Sequence, residues 1–217
     1  MYKLPTFIFD LDGVITDTGN QHFESWKKVC KSINYNLTYK KNRELKGVSR
    51  IKSLKKIENW ADLKFTKQKF NELLIQKNKI YLEKISKINN SDIIDGVYDF
   101  ITNAKKHNHL IALYSSSKNA NFILEKLKIK TLFDAIVDGN NVKKSKPDPE
   151  GFLIAAKLTN TNPLDCVVFE DSQAGITAAN LVNMKTIGIG KLNELKDANR
   201  VYEKFNQINL QELINAN

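Results

Sequence analysis

The sequence predicts an α/β fold, a Rossmann-like parallel sheet core with an inserted helical cap domain. Three observations predict it. Short apolar, β-rich runs recur along the chain, helical patterns separate the later ones, and the region from about residue 20 to residue 87 has helical periodicity without a convincing strand. The expected division is a core of residues 1–16 and 88–217 and a cap of residues 17–87.

The first run, "TFIFD", continues into "LDGV". An apolar stretch this short, without alternation and closed by Asp and Gly, reads as a strand buried on both faces that gives way to a tight turn. Asp10 and Asp12 then stand at the strand's carboxyl end. The cap should hang on two linkers, "ITDTGN" and "INNSDIIDG". Within it Phe23, Trp26, Cys30 and Ile33 fall at helical spacing, and Phe70, Leu73, Leu74 and Tyr81 form a second apolar stripe. Lys77 sits four residues from both Leu73 and Tyr81, which puts a charge on that stripe unless its head snorkels to water. Ser49 is a plausible N-cap for "SRIKSLKKI".

Beyond the second linker the pattern alternates. A helix over about 96–107 precedes the strand "LIALYSSS", a helix over about 119–128 precedes "AIVDG", and a helix over about 149–159 precedes "CVVFED". Asp148 and Pro149 read as N-cap and first residue of that third helix. A last helix over about 173–182 leads to the strand "TIGIG".

Composition narrows the class. The 217 residues are 41% hydrophobic and 27% charged, enough to bury a full core. The longest apolar runs fall far short of the ~20 residues a membrane span needs, and no basic segment with an apolar h-region opens the chain, so a cytoplasmic protein is expected. Cys30 and Cys166 lack metal-type spacing and read as small buried hydrophobes. The formal charge of +10 comes from lysines dispersed among Asn and Ile, with no zinc-finger, helix-turn-helix or RNP pattern. Small molecules are the expected partners, with neither nucleic acid nor membrane, and a monomer is expected.

The strand ends carry the chemistry. Asp10 and Asp12 end the first strand, Ser115, Ser116 and Ser117 the second, and Glu170 and Asp171 the fourth, while a loop supplies Lys146. In a parallel sheet these groups converge on one edge, where ligands bind. Carboxylates suit a hard Mg²⁺ ion, and hydroxyls, a lysine and backbone N–H groups suit phosphate oxygens. Taken singly, Asp-x-Asp-Gly reads equally well as a turn, the serines as helix caps and Lys146 as a solvated lysine. Their order and common position are what those readings leave unexplained.

"FDLDGVITDT", "SSSKN", "KSKPDPE" and "FEDSQAGI" resemble the four motifs of the haloacid dehalogenase superfamily, and "QHFESW", "LKGVSR" and "SSSKNA" resemble its β-phosphoglucomutase branch. The resemblance implies Asp10 as a nucleophile that forms an aspartyl phosphate and Asp12 as general acid and base. It implies Mg²⁺ held by Asp10, the Asp12 carbonyl and Asp171, with Glu170 beside them. Phosphate and substrate contacts would come from Gly13, Val14, Ser115, Ser116, Ser117, Lys118, Asn119 and Lys146. From the cap, His22, Trp26, Gly47, Val48, Ser49, Arg50 and Lys77 would reach in. The implied reaction interconverts β-D-glucose 1-phosphate and glucose 6-phosphate through glucose 1,6-bisphosphate, with a sugar-phosphate phosphatase of the same superfamily as the alternative. An acid at neutral pH requires Asp12 to rise above its ordinary ~3.9, by desolvation or by phosphorylation of its neighbour.

Overall fold

The structure, a computed structural model, describes residues 4–215. Its centre is a parallel sheet built from β1 (Thr6–Phe9), β2 (Ile111–Tyr114), β3 (Ala135–Val137), β4 (Cys166–Glu170), β5 (Lys185–Ile189) and β6 (Arg200–Tyr202), in the order β3-β2-β1-β4-β5-β6. The chain winds outward from β1 through β2 to β3, then returns to lay β4 against the other side of β1. That reversal leaves a crevice beyond the carboxyl ends of β1 and β4, the place where doubly wound sheets bind ligands.

The unbroken apolar run of β1 has a direct cause. Phe7 and Phe9 point into one layer with Phe100, Phe169 and Phe205, whereas Ile8 points into the other with Tyr114, Phe152 and Val168. Both faces are buried, so neither parity can be polar. Phe9 and Phe169 pair across the β1–β4 register and stack, with ring centroids 4.6 Å apart. Helices α5 (Val97–Lys106), α6 (Ala120–Lys126), α7 (Glu150–Leu158), α8 (Gln173–Asn180) and α9 (Leu210–Asn215) accompany the sheet.

The expected strands and helices of the core are all present, with two differences. Pro149 is the N-cap of α7 and Glu150 its first helical residue; Asp148 stands one position too early to cap and instead accepts from the Glu150 N–H at 3.0 Å. The edge strand β6 was not expected from the sequence, since its three residues are partly exposed and carry no apolar run.

Between β1 and α5 lie the cap helices α1 (Gly19–Lys31), α2 (Tyr39–Arg43), α3 (Arg50–Trp60) and α4 (Lys67–Ile85). Helices α1, α3 and α4 share a separate apolar centre that includes Trp26, Cys30, Leu54, Ile57, Leu73 and Ile80. Thr38, Ser49 and Thr66 each cap a helix by accepting a backbone N–H, Ser49 at 3.4 Å from Lys52. The two linkers run side by side, joined by the Ile94 N–H to the Ile15 carbonyl at 2.9 Å. Both cysteines are buried and free. Among the described residues, no helix is long and apolar enough to cross a membrane.

Candidate active site

The tight turn after β1 brings Asp10 together with the fourth strand's pair of carboxylates. Gly13 has φ +87°, and a Cβ there would overlap the Asp171 carboxylate, so only glycine lets the turn fold onto it. Asp10, Glu170 and Asp171 can each offer an oxygen within 4.8 Å of the others, all three residues being buried. Two lysines answer that charge. Lys146, completely buried, donates from its ammonium to both Asp10 Oδ1 and Glu170 Oε1, and Lys46 Nζ lies 2.8 Å from Asp171 Oδ2.

The three carboxylates are not equivalent. Glu170 is the most heavily engaged: Lys146 donates to Oε1, while Oε2 accepts from the Asp171 and Ser172 N–H groups and from the Ser172 hydroxyl at 2.8–3.0 Å. Asp10 and Asp171 keep oxygens to offer. Burial drives the Asp10 carboxyl well above its ordinary range despite the opposing Lys146 charge, with Glu170, Asp171 and Asp12 adding to the rise. Burial also lifts Asp171, to about 7, against Lys46. A hard divalent cation fits this donor set, because oxygen ligands are what it takes and a double positive charge removes the cost of holding the carboxylates ionised together. For Lys146, burial opposes the charge, but Asp10 and Glu170 outweigh it and raise its pKa.

Asp12 faces elsewhere. It accepts from the Thr18 hydroxyl, and its Oδ2 lies 3.7 Å from His22 Nε2. Burial works to raise its pKa, yet His22, Thr18 and Lys77 together hold it below the ordinary carboxylate range. The rise expected from desolvation is therefore corrected: two cap residues and a linker hydroxyl stabilise the ionised form more than desolvation disfavours it.

Behind Asp12, His22 Nδ1 and Lys77 Nζ are 2.8 Å apart, and Lys77 Nζ lies 4.2 Å from the Tyr81 ring centroid and 5.6 Å from that of Trp26. Lys77 does not snorkel. It is 2% exposed, and burial with the nearby Arg50 charge depresses its pKa to about 7. Trp26 belongs to the cap's apolar centre. Arg50 opens α3 and donates to the Leu74 carbonyl at 3.3 Å.

The serine loop after β2 is locally organised. Ser115 Oγ accepts from the Ser117 N–H at 3.1 Å, Ser117 Oγ from the Asn119 N–H at 3.2 Å, and Ser116 Oγ donates to the Gly47 carbonyl of the cap at 2.9 Å. Asn119 reaches the cap through Asn78 at 3.0 Å, and the Lys118 carbonyl accepts from Asn140. The Val14 side chain is packed in the sheet's apolar core, so Val14 can offer a ligand only its backbone. Ser49 spends its hydroxyl on the α3 cap, and Val48 donates its N–H to the Leu45 carbonyl.

Several residues of the site were missed in the sequence. Thr18 and Tyr81, linked at 3.1 Å, complete the surroundings of Asp12. Lys46 and Lys52 are cap lysines that touch the core, Lys52 Nζ donating to the Ser145 carbonyl at 2.8 Å. Among many dispersed lysines, neither has a local pattern that sets it apart. Tyr114 differs from these, since the sequence already marks it as bulkier than the small residue the resemblance implies there: its ring lies 4.8 Å from Lys146 Nζ and meets Phe152 edge-on. Gly151 makes the space, since a Cβ there would overlap the Tyr114 ring.

A sequence model of the haloacid dehalogenase-like hydrolases matches residues 7–189, a span that holds every core group just described. The chain belongs to this haloacid dehalogenase-like family. Within the family it is 39% identical over 208 residues to the β-phosphoglucomutase of Bacillus subtilis, covering 95% of this chain and 92% of that one. It is 29% identical to a phosphorylated carbohydrates phosphatase of Thermotoga maritima, over 90% of this chain and 89% of the relative. The crystal structure of β-phosphoglucomutase from Clostridium difficile superimposes with a TM-score of 0.94 at 38% identity, covering 97% of this chain and 96% of that one.

Proposed function

We propose that the protein is a Mg²⁺-dependent β-phosphoglucomutase that interconverts β-D-glucose 1-phosphate and D-glucose 6-phosphate, as a cytoplasmic monomer. We take residues 1–16 and 88–217 as its catalytic core and residues 17–87 as the cap. The observation that carries the reading is the pairing of a buried Asp10 with a basic cap interior. Arg50 and Lys77 lie close enough to act on each other and on His22, whose imidazole is pushed below its ordinary pKa by burial and by those two charges, and Asp12 is the acidic neighbour of His22 and Lys77. Such a pocket is costly when empty and suits a ligand with negative charge at its cap end as well as at Asp10. A sugar bisphosphate has that charge distribution.

Phosphoryl transfer between an enzyme carboxylate and a sugar hydroxyl needs one nucleophile and one proton carrier. Asp10 is the nucleophile, at the carboxyl end of β1 with Lys146 beside it. Asp12, ionised at rest, is the base. When Asp10 carries the phosphoryl group, Asp12 takes the proton of the sugar's 6-hydroxyl as that oxygen attacks phosphorus, and the Asp10–phosphorus bond breaks. The product is the 1,6-bisphosphate, with Asp12 now protonated. After the bisphosphate turns end for end, Asp10 attacks the phosphorus on O1 and Asp12 returns its proton to the departing O1. Glucose 6-phosphate leaves and Asp10 is phosphorylated again. Mg²⁺, held by Asp10, Asp171 and the Asp12 carbonyl, supplies charge neutralisation at the transferring phosphate.

Water must stay out while Asp10 is phosphorylated, and the cap contacts through Gly47, Asn78 and Lys52 seat it over the strand ends. Ser115, Lys146 and the N–H groups following Asp10 hold the transferring phosphate. Arg50, Ser117, Lys118 and Asn119 hold the distal one. The test is turnover of β-glucose 1-phosphate with glucose 6-phosphate and free phosphate assayed separately. Glucose 6-phosphate as the dominant product, dependent on catalytic amounts of the bisphosphate, is expected. Stoichiometric release of free phosphate would instead make the chain a sugar-phosphate phosphatase, the activity of its Thermotoga relative.

A further inference from the structure

Lys46 is the one cap side chain in ionic contact with the acidic cluster among the described residues, and it lies on the segment between α2 and α3. Its ammonium is 2.8 Å from Asp171 Oδ2, while its own side chain is 47% exposed and that of Asp171 only 6%. The same oxygen lies against the Gly13 backbone, which leaves no room even for a methyl group. Asp171 thus has two close neighbours at one oxygen, an immovable backbone and a movable cation.

A divalent ion ligated by Asp171 sits about 2 Å from a carboxylate oxygen, within a few ångströms of the place Lys46 Nζ occupies. Two cations that close repel strongly in a buried setting. The backbone side cannot yield, whereas the half-exposed lysine can swing into water at little cost. The neighbouring contacts of its segment, from Ser116 to the Gly47 carbonyl and from Lys52 to the Ser145 carbonyl, involve no acidic group and are indifferent to the ion's charge.

We propose that Lys46 is a tethered competitor of the divalent cation at Asp171, so that seating of this cap segment and filling of the metal site oppose each other. The proposal rests on the metal-centre reading above and adds a residue to it. Linkage makes the effect reciprocal: whatever factor Lys46 takes from metal affinity, the metal takes from the closed arrangement of the segment. In the empty enzyme Lys46 neutralises part of the cluster and draws the cap down. Entry of the ion frees that tie, loosening the cap at the stage when a sugar phosphate must enter.

The test is calorimetric titration with Mg²⁺ alone, without sugar phosphate, of the wild type, Lys46→Met, Lys46→Gln and Lys46→Arg. The neutral variants should bind Mg²⁺ about five-fold more tightly or better, and Lys46→Arg should stay near the wild type. Hydrogen exchange supplies a second readout. Amides of residues 45–49 should exchange faster on adding Mg²⁺ to the wild type, and should not respond to Mg²⁺ in Lys46→Met. Equal or weaker Mg²⁺ binding by both neutral variants, beside normal binding by the wild type, overturns the competition and leaves the metal centre standing. Failure of wild type and variants alike to bind Mg²⁺ overturns the metal-centre reading, and the competition with it.

Discussion

Replacing Lys77 by Met should make the empty protein more stable and the enzyme worse, and both effects should depend on pH. The ammonium is 2% exposed, among the Tyr81 and Trp26 rings, with His22, Arg50 and Asp12 as its charged or titratable neighbours. Its pKa falls from 10.5 to about 7. At 1.36 kcal/mol per unit, that depression corresponds to a penalty on the order of 5 kcal/mol when the group is charged in the folded state. The sign follows from proton binding. Below pH 7 both folded and unfolded chains carry the proton and the whole penalty applies. Between about 7 and 10.5 the unfolded chain keeps a proton that the folded one has released, so stability rises with pH, and above 10.5 the penalty is gone. From pH 6 to pH 9 the wild type should therefore recover roughly 3 kcal/mol through this residue alone. Lys77→Met loses the contact to His22, worth about 1 kcal/mol, but has no proton to titrate. Urea unfolding of both proteins at pH 6 and 9 gives the variant-minus-wild-type difference at each pH, in which titrating groups that do not interact with Lys77 cancel. That difference should be clearly stabilising at pH 6 and shrink by roughly 3 kcal/mol at pH 9. Kinetics should move the other way, with a higher KM for the sugar phosphate in the variant at pH 6. A stability difference that is the same at both pH values would refute the argument, since Lys77 would then not be a strained cation.

Three further outcomes are expected. Asp10→Asn should abolish turnover while circular dichroism and unfolding stay cooperative, because an amide is a poor nucleophile; near-wild-type turnover in purified protein would remove Asp10 from the reaction. Asp12→Asn should slow transfer to and from sugar hydroxyls by roughly 10²- to 10⁴-fold yet affect an acyl phosphate donor much less, since a good leaving group needs no proton; equal losses with both donors would make Asp12 structural. Arg50→Ala should lower glucose 6-phosphate production while phosphorylation of the enzyme by a small acyl phosphate persists, with Arg50→Lys only partly restoring flux for want of the guanidinium fork. Unchanged rates of both steps in Arg50→Ala would move the distal phosphate site elsewhere.

How much of this was legible in the sequence follows from how local each signal is. The sheet was readable because burial on both faces forces continuous apolar runs, as in Phe7–Phe9 and Val167–Phe169, and the cluster of Asp10, Glu170 and Asp171 was readable because each group directly follows or ends such a run. Strand β6 was not, being a three-residue edge with little to bury. The cap lysines were hidden for a different reason. Lys46, Lys52 and their many neighbours look alike along the chain, and only the fold places Lys46 on Asp171 and Lys52 on the Ser145 carbonyl. The complementarity of Tyr114 and Gly151 was likewise unreadable, because a large ring filling the space of an absent side chain is a relation between residues far apart in sequence. The Asp12 pKa was misjudged because desolvation is suggested by burial alone, whereas the opposing Thr18, His22 and Lys77 come from the linker and two cap helices.

That last contrast bears on how one turn can serve two chemistries. Asp10 and Asp12 are separated by a single residue, Asp10 buried and Asp12 half-buried, yet their surroundings push them in opposite directions, Asp10 upward and Asp12 downward. The core determines the first shift. Burial with Glu170 and Asp171 disfavours the Asp10 charge, so a nucleophilic Asp10 demands a cation beside it, and only the strand ends and the Lys146 loop can position one there. The cap determines much of the second, through His22 on α1 and Lys77 on α4. In the proposed reaction the attacking carboxylate therefore answers to the metal and the core, while the proton-handling carboxylate answers to the cap. Lifting α1 and α4 away from the strand ends would remove two of the influences that keep Asp12 ionised, so its strength as a base is coupled to the same closure that excludes water. A phosphorylated Asp10 is then paired with its most effective proton acceptor when a sugar is enclosed beneath the cap, and with a less effective one when the site stands open to solvent.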